Sequence, residues 1–156
     1  MDSIEKLIGY SFKNRELLKE ALTHKSYSTE RGQTLHNERF EFLGDSVLGL
    51  VVSYYLFTEN PSQDEGYLSK VKSVLVSRAN LARWADSLNL GEHVFLGVGE
   101  HQTGGKNRSS ILSNSFEALI GAIYLDGGLD PAAAFVKRWL HGVDMGGMEE
   151  QDYKSV

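Results

Sequence analysis

The strongest constraint on the fold is a long apolar segment that also carries acids. The run from about His36 to Phe57 has no turn residues and is mostly apolar, which predicts a central helix. At 100° per residue, Glu38, Glu41 and Asp45 fall within about 60° of arc on one face of this helix. Like charges at these spacings repel, and partly buried carboxylates are costly. The three acids therefore require a positive partner.

A second apolar segment repeats this anomaly. It runs from Ile111 to Tyr124, and Asn114 and Glu117 lie on one face of the helix it predicts. If the two helices pack side by side, four side chains form an oxygen-only cluster: Glu41, Asp45, Asn114 and Glu117. Such a cluster suits a hard cation, Mg²⁺ or Mn²⁺. A bound divalent ion can turn the acidic pocket into a phosphate-binding one and can activate water for in-line attack on a phosphodiester.

The composition limits the other classes of function. The 156 residues carry a net charge of −5, so a simple basic nucleic-acid binder is disfavoured unless a cation converts the acidic pocket into a phosphate site. With no cysteine, the chain has no disulfides, thiolate metal site or cysteine nucleophile. The N-terminus lacks a signal-peptide pattern, and the longest apolar stretch, residues 47–57, is too short to span a bilayer. We expect a cytoplasmic protein without membrane contact.

The remaining segments also predict helices, so the fold class is all-α. Only two prolines occur, and no segment alternates long enough to indicate a strand. The predicted elements are a helix capped by Asn14, a helix opened by the capping box Ser62–Glu65, a helix over 78–88 that stops at Asn89, a glycine-rich loop over 97–108, a helix over 110–125, and a last helix capped by Asp130.

Each candidate residue also has an ordinary structural explanation. The acids of the apolar helices could belong to a solvated face, although their neighbours are very apolar. Glu65 could serve only the capping box, and Asn114 could satisfy a neighbouring backbone group. His24 is better explained as a histidine at a helix end than as a general base.

Three blocks of sequence resemble the ribonuclease III family of double-stranded-RNA endonucleases. They are NERFEFLGDSVL at 37–48, ALTHKSY at 21–27 and SNSFEALIGAIYLDGG at 113–128, and they occur in the family's order. The resemblance covers roughly residues 3–142. It implies a homodimeric, all-helical domain that cuts both strands of RNA with Mg²⁺, leaving 5′-phosphates and short 3′ overhangs.

The resemblance also implies roles for individual residues. The family's metal-binding, catalytic carboxylates fall on Glu41, Asp45 and Glu117. Two further acids of the family's cleavage valley match Glu38 and Glu65, and Phe42 matches an aromatic that enters a socket on the partner subunit. Asn114 departs from the family, which usually has a fourth acid there, and this predicts weaker metal binding. The alternative is a catalytically weakened or silent dimer that binds structured RNA.

The sequence predicts two regions. Residues 1–144 form the endonuclease domain, and residues 145–156 change to a glycine pair followed by acids. We expect this second region to be a linker or tail, and the resemblance implies that it leads to a double-stranded-RNA-binding domain, absent from this chain.

Overall fold

A computed structural model describes residues 2–142 of the chain. Their α-helices are α1 (Asp2–Ile8), α2 (Arg15–Ala21), α3 (Lys25–Glu30), α4 (Glu38–Glu59), α5 (Glu65–Leu75), α6 (Arg78–Ser87), α7 (Val98–Gln102), α8 (Ser109–Gly127) and α9 (Leu129–Leu140). Short 3₁₀ turns lie at Leu90–His93 and Gly105–Asn107. Within this part of the chain, β pairing is limited to one bridge between Thr23 and Phe95. The predicted all-α class is confirmed.

Helix α8 forms the centre of the fold. It packs along α4, and α2, α6 and α9 cover its other sides. Phe116 is fully buried, with its ring centroid 5.2 Å from that of Trp139 and 5.4 Å from that of Phe135. Trp84 stacks on Trp139 at 6.0 Å. This aromatic cluster anchors one side of α8, so the helix can present its opposite side to α4.

Two glycines allow α4 and α8 to approach closely. A Cβ on Gly44 would overlap the backbone carbonyl of Glu117, and a Cβ on Gly121 would overlap that of Phe40. The absence of side chains at these positions brings the two backbones into direct contact. This crossing sets the separation of the acids on the two helices.

Several local predictions are confirmed. Asn14 caps α2, where its side chain accepts a hydrogen bond from the Glu16 N–H at 3.1 Å. Helix α6 ends as expected before Asn89, whose positive φ of 56° reverses the chain.

The predicted capping box at the start of α5 is wrong. Asp64 is the cap, and it accepts a hydrogen bond from the Tyr67 N–H at 3.0 Å. Ser62 lies in a turn closed by the hydrogen bond from the Gln63 N–H to the Asn60 carbonyl, so the helix begins later than predicted. Glu65 becomes the first helical residue, and its carboxylate accepts from the Ser69 hydroxyl at 2.8 Å.

Two other boundaries differ from prediction. The last helix begins at Leu129, after the left-handed Gly128, so Asp130 lies in its first turn and is not its cap. The glycine-rich segment 97–108 is not a simple loop, because it contains α7 and a 3₁₀ turn. An ion pair between Arg108 and Glu100 closes this segment on itself. The predicted linker at 145–156 lies outside the described residues.

Helix α4 is long and apolar enough to cross a membrane by length and composition alone. Its buried residues, among them Val47, Leu48, Val51 and Val52, belong to the hydrophobic core. A central helix of a globular domain passes the same test, so this is weak evidence for a membrane span.

Candidate active-site cleft

A cleft of about 580 Å³ lies where α4 and α8 cross. Its lining includes the acids Glu38, Glu41, Asp45 and Glu117, with Asn114 and Phe42, and on the other rim His24, Lys25 and Asn37. The structure therefore brings together all of the predicted site residues except Glu65. Glu65 begins α5 away from this cleft of the single chain.

The two helices supply the acids from opposite sides. Glu41 and Asp45 are one turn apart on α4, and Asn114 and Glu117 are one turn apart on α8. Glu41, Asn114 and Glu117 are half-buried, whereas Asp45 and Glu38 are exposed at the cleft mouth. The side-by-side packing that the sequence argument assumed is present.

Burial and neighbouring negative charges raise the pKa values of Glu41 and Glu117. Burial raises the pKa of Glu117 to about 9, aided by a side-chain hydrogen bond with Asp45 and by the charges of Asp45 and Glu41. The pKa of Glu41 is also raised, first by burial and then by the charges of Glu38 and Asp45. Glu117 therefore holds a proton at neutral pH when no cation is bound.

The sequence predicts a positive partner for the acids, but none of the groups among the described residues that shift the pKa of Glu117 is positive. The charges acting on this carboxyl come from Asp45 and Glu41, and both are negative. Lys106 and Arg108 form ion pairs with Glu92 and Glu100, outside the cleft. The acids around Glu117 thus carry negative charge that a bound cation would neutralise.

The donors in the cleft fit a hard cation. They are carboxylate and amide oxygens. Ser115 beside them is 1% exposed, and its hydroxyl has no hydrogen-bond partner in the part of the chain that the structure describes. No group of three or more acids or histidines within residues 2–142 is arranged around a common point as a metal site. Two of the acids in the cleft, Asp45 and Glu117, are joined by a side-chain hydrogen bond.

The other rim contains residues whose place in the cleft sequence reasoning missed. His24 caps α3, where its Nδ1 accepts from the Ser26 N–H at 3.1 Å, which confirms it as a helix-end histidine. Asn37 is buried and donates from Nδ2 to the Ala21 carbonyl at 3.1 Å, which ties the start of α4 to α2. Both residues lie in the sequence blocks that resemble ribonuclease III, at 21–27 and 37–48. Membership of these blocks was the one sequence feature that pointed to a place near the site.

Phe42 stands at the edge of the cleft with 79% of its surface exposed. A second hollow of about 570 Å³ lies beside it, lined by Glu20, Glu38, Arg39, Phe40, Leu43 and Leu125. A two-fold interface uses the same patch on both subunits, so it can bury an aromatic of each copy in a hollow of the other.

Comparison with known proteins identifies the family. The family model described as Ribonuclease-III-like matches residues 14–143. The chain belongs to the ribonuclease III family. The Ribonuclease 3 of Listeria monocytogenes is 40% identical over 158 residues, covering 99% of this chain and 69% of the relative. The Ribonuclease 3 of Nitratiruptor is 48% identical and covers 83% of this chain but 56% of the relative. The chain thus spans between about half and two thirds of such ribonuclease III relatives.

Solved structures of ribonuclease III proteins share the fold. The nuclease domain of ribonuclease III from Campylobacter jejuni is 44% identical with a TM-score of 0.83, covering 88% of this chain and 91% of that chain. Dicer from Pichia stipitis is 28% identical with a TM-score of 0.60, covering 88% of this chain and 57% of that one. A further structure of the Campylobacter jejuni nuclease domain is described as showing structural flexibility in a region involved in dimer formation.

Proposed function

We propose that the chain is a Mg²⁺-dependent endoribonuclease that hydrolyses phosphodiester bonds of double-stranded RNA, leaving 5′-phosphates and short 3′ overhangs. The observation that carries this proposal is the cleft in which Glu41, Asp45 and Glu117 face one another across α4 and α8. Their mutual repulsion, together with the family membership, favours a cation-assisted phosphoryl reaction.

Four residues of the cleft would hold the ion: Glu41, Asp45 and Glu117 through carboxylates, and Asn114 through its amide oxygen. Bound Mg²⁺, or Mn²⁺ in its place, would activate a water and neutralise charge on the phosphate. Before binding, Glu117 holds the proton that it shares with Asp45 in their hydrogen bond. Both carboxylates must be deprotonated to bind a cation, so this proton leaves the cleft when the ion enters.

We also propose that the chain acts as a homodimer, because two strands are cut most simply by two symmetric sites. Four exposed apolar side chains lie within about 120° of arc on α4: Phe42, Leu50, Tyr54 and Phe57. In a two-fold dimer, Phe42 of each subunit would enter the hollow beside its counterpart. The valley of such a dimer extends beyond one subunit, and this is where Glu65 is expected to act.

Two further proposals concern the setting of the enzyme. Residues 145–156 are a linker or tail, which their glycine pair and acidic composition favour, and the resemblance to ribonuclease III implies that it leads to a double-stranded-RNA-binding domain. The site of action is the cytoplasm, which suits a chain without cysteine.

The test is incubation of the purified chain with long duplex RNA, with Mg²⁺ or with EDTA. We expect fragments with 5′-phosphates in Mg²⁺ alone, and no cutting of single-stranded RNA. Glu117→Gln and Asp45→Asn should abolish cutting while the melting temperature shows a folded domain. Glu92→Gln is the matched control, because Glu92 pairs with Lys106 outside the cleft, and it should cut as the parent does.

The second candidate function is an RNA-binding dimer that does not cut. Asn114 favours it, because an amide in place of a carboxylate lowers the negative charge available to hold the ion. If the chain binds duplex RNA but leaves it intact over a full range of Mg²⁺ and Mn²⁺ concentrations, this candidate is supported and the endonuclease is rejected.

A further inference from the structure

The hydrogen bonds of His24 fix its tautomer. The Ser26 backbone N–H donates to Nδ1 at 3.1 Å, so Nδ1 carries a lone pair. The Ser26 hydroxyl lies 2.7 Å from the same nitrogen. In the tautomer that the backbone N–H selects, this hydroxyl shares the Nδ1 lone pair as a second donor. A neutral imidazole with an unprotonated Nδ1 carries its hydrogen on Nε2. Burial lowers the pKa of His24, which keeps the ring in this neutral form.

The rim that carries His24 is held from a second direction. The Ser26 Oγ accepts a hydrogen bond from the Gly97 N–H at 2.9 Å, so its own hydrogen remains for Nδ1. The His24 backbone N–H donates to the Phe95 carbonyl at 3.0 Å. The ring therefore has a fixed position before any ligand enters the cleft.

One polar atom of the ring remains available. Nδ1 is directed at the start of α3, and within residues 2–142 Nε2 has no hydrogen-bond partner. His24 lines the same cleft as the acids of α4 and α8. Its Nε2–H thus adds a neutral donor to a lining that carries four acids.

We propose that His24 is an RNA-contacting residue whose Nε2–H donates a hydrogen bond to a phosphate oxygen of the strand held in the cleft. The inference rests on the proposed function. Carboxylates repel the RNA backbone, so a strand in this cleft needs donors as well as a cation. A neutral N–H supplies such a hydrogen bond. Because it carries no charge, it does not form an ion pair with the carboxylates that would bind the cation.

The experiment uses two substitutions that separate the nitrogens of the ring. In His24→Asn the amide oxygen can replace Nδ1 as the cap of α3, and the Nε2 donor is lost. In His24→Gln the side-chain NH₂ lies near the position of Nε2, and the cap is lost. Both variants and the parent are compared by melting temperature and by kcat and KM for cleavage of one duplex RNA.

We expect His24→Asn to keep the parent's melting temperature within about 2 °C and to lose about tenfold in kcat/KM, mainly through KM, as for a hydrogen bond to a charged group. His24→Gln should melt a few degrees lower and retain kcat/KM within about threefold. A purely structural histidine predicts the reverse order. Parental kcat/KM in His24→Asn, or an equal loss in both variants, overturns the proposal.

Cleavage and binding by the parent chain show whether a failure belongs to this inference or to the proposed function. Failure of the parent to cut duplex RNA in Mg²⁺ rejects the endonuclease. If the parent then still binds duplex RNA, the same variants are compared by dissociation constant, with the same order expected. If the parent neither cuts nor binds duplex RNA, both proposals fail.

Discussion

Gly44 on α4 lies directly against the backbone carbonyl of Glu117 on α8, with no room for a Cβ between them. The contact joins a residue without a side chain to the backbone of a predicted metal ligand. Asp45 follows Gly44 in the chain, so the close approach also brings Asp45 within hydrogen-bonding reach of Glu117. The geometry of the cleft is thus set by backbone packing and not by the acids themselves.

Gly44→Ala should destabilise the fold by about 1–3 kcal/mol, as overpacked cores do, because backbone atoms cannot rotate away. Gly49→Ala is the matched control on the same helix, since its Cβ would meet only the flexible Lys72 side chain, at 3.7 Å. We expect the control to be neutral or slightly stabilising, because alanine favours helix over glycine. Urea unfolding measures both, and equal stabilities would contradict the role of Gly44.

The raised pKa of Glu117 predicts how stability depends on pH. The folded chain binds a proton at Glu117 up to about pH 9, whereas the unfolded carboxyl releases it near 4.5. The folded state therefore binds more protons across this window, and the ion-free chain loses stability as pH rises from about 4.5 to 9. Glu117→Gln should flatten this part of the curve.

The measurement is a series of thermal melts from pH 5 to 9 in EDTA, for the parent and Glu117→Gln. Mg²⁺ should raise the melting temperature of the parent more at high pH, where binding displaces fewer protons. Parallel pH curves for the two proteins would show that Glu117 ionises normally.

Asn114→Asp should lower the Mg²⁺ concentration for half-maximal cleavage. A carboxylate attracts the ion and its bound waters more strongly than an amide does. Because the substitution adds an acid to a repulsive cluster, the variant should melt lower than the parent in EDTA and gain more on adding Mg²⁺. Coinciding Mg²⁺ titrations and equal gains in melting temperature would place Asn114 away from the ion.

Phe42→Ala should weaken the dimer. Removing an aromatic anchor from a well-packed interface costs about 2 kcal/mol or more, which is a loss of roughly thirtyfold in dimer affinity. Leu35→Ala is the control, because Leu35 is also exposed but does not lie on α4. Light scattering over a dilution series should give a mass of twice 17.4 kDa for the parent and the control. On dilution, Phe42→Ala should dissociate to the monomer at a higher concentration than the parent does.

Much of the cleft follows from the sequence. Helical spacing placed Glu41 and Asp45 on one face of α4, and Asn114 and Glu117 on one face of α8, and the structure lines one cleft with all four. The local errors have physical causes. Ser62 and Asp64 are both good caps, and Ser62 lies in the turn from Asn60 to Gln63, so the helix begins after Asp64.

The features that the sequence did not predict depend on distant contacts. A glycine inside an apolar helix can mark a weak point or a close crossing, so Gly44 gave no clear signal alone. The fixed ring of His24 depends on Gly97 and Phe95, about 70 residues away in the chain. Spacing along one helix carries no information on such partners.

The glycine crossing also limits how this domain can evolve. Gly44 meets the backbone carbonyl of Glu117 and Gly121 meets that of Phe40, so the atoms that a larger residue would strike first belong to the backbone, which a second substitution cannot shorten. A larger residue at either position is relieved only by separating the axes of α4 and α8. That separation would carry Glu117 away from Asp45. Second-site suppressors of Gly44 or Gly121 substitutions should therefore restore folding more readily than they restore the spacing of the two carboxyls.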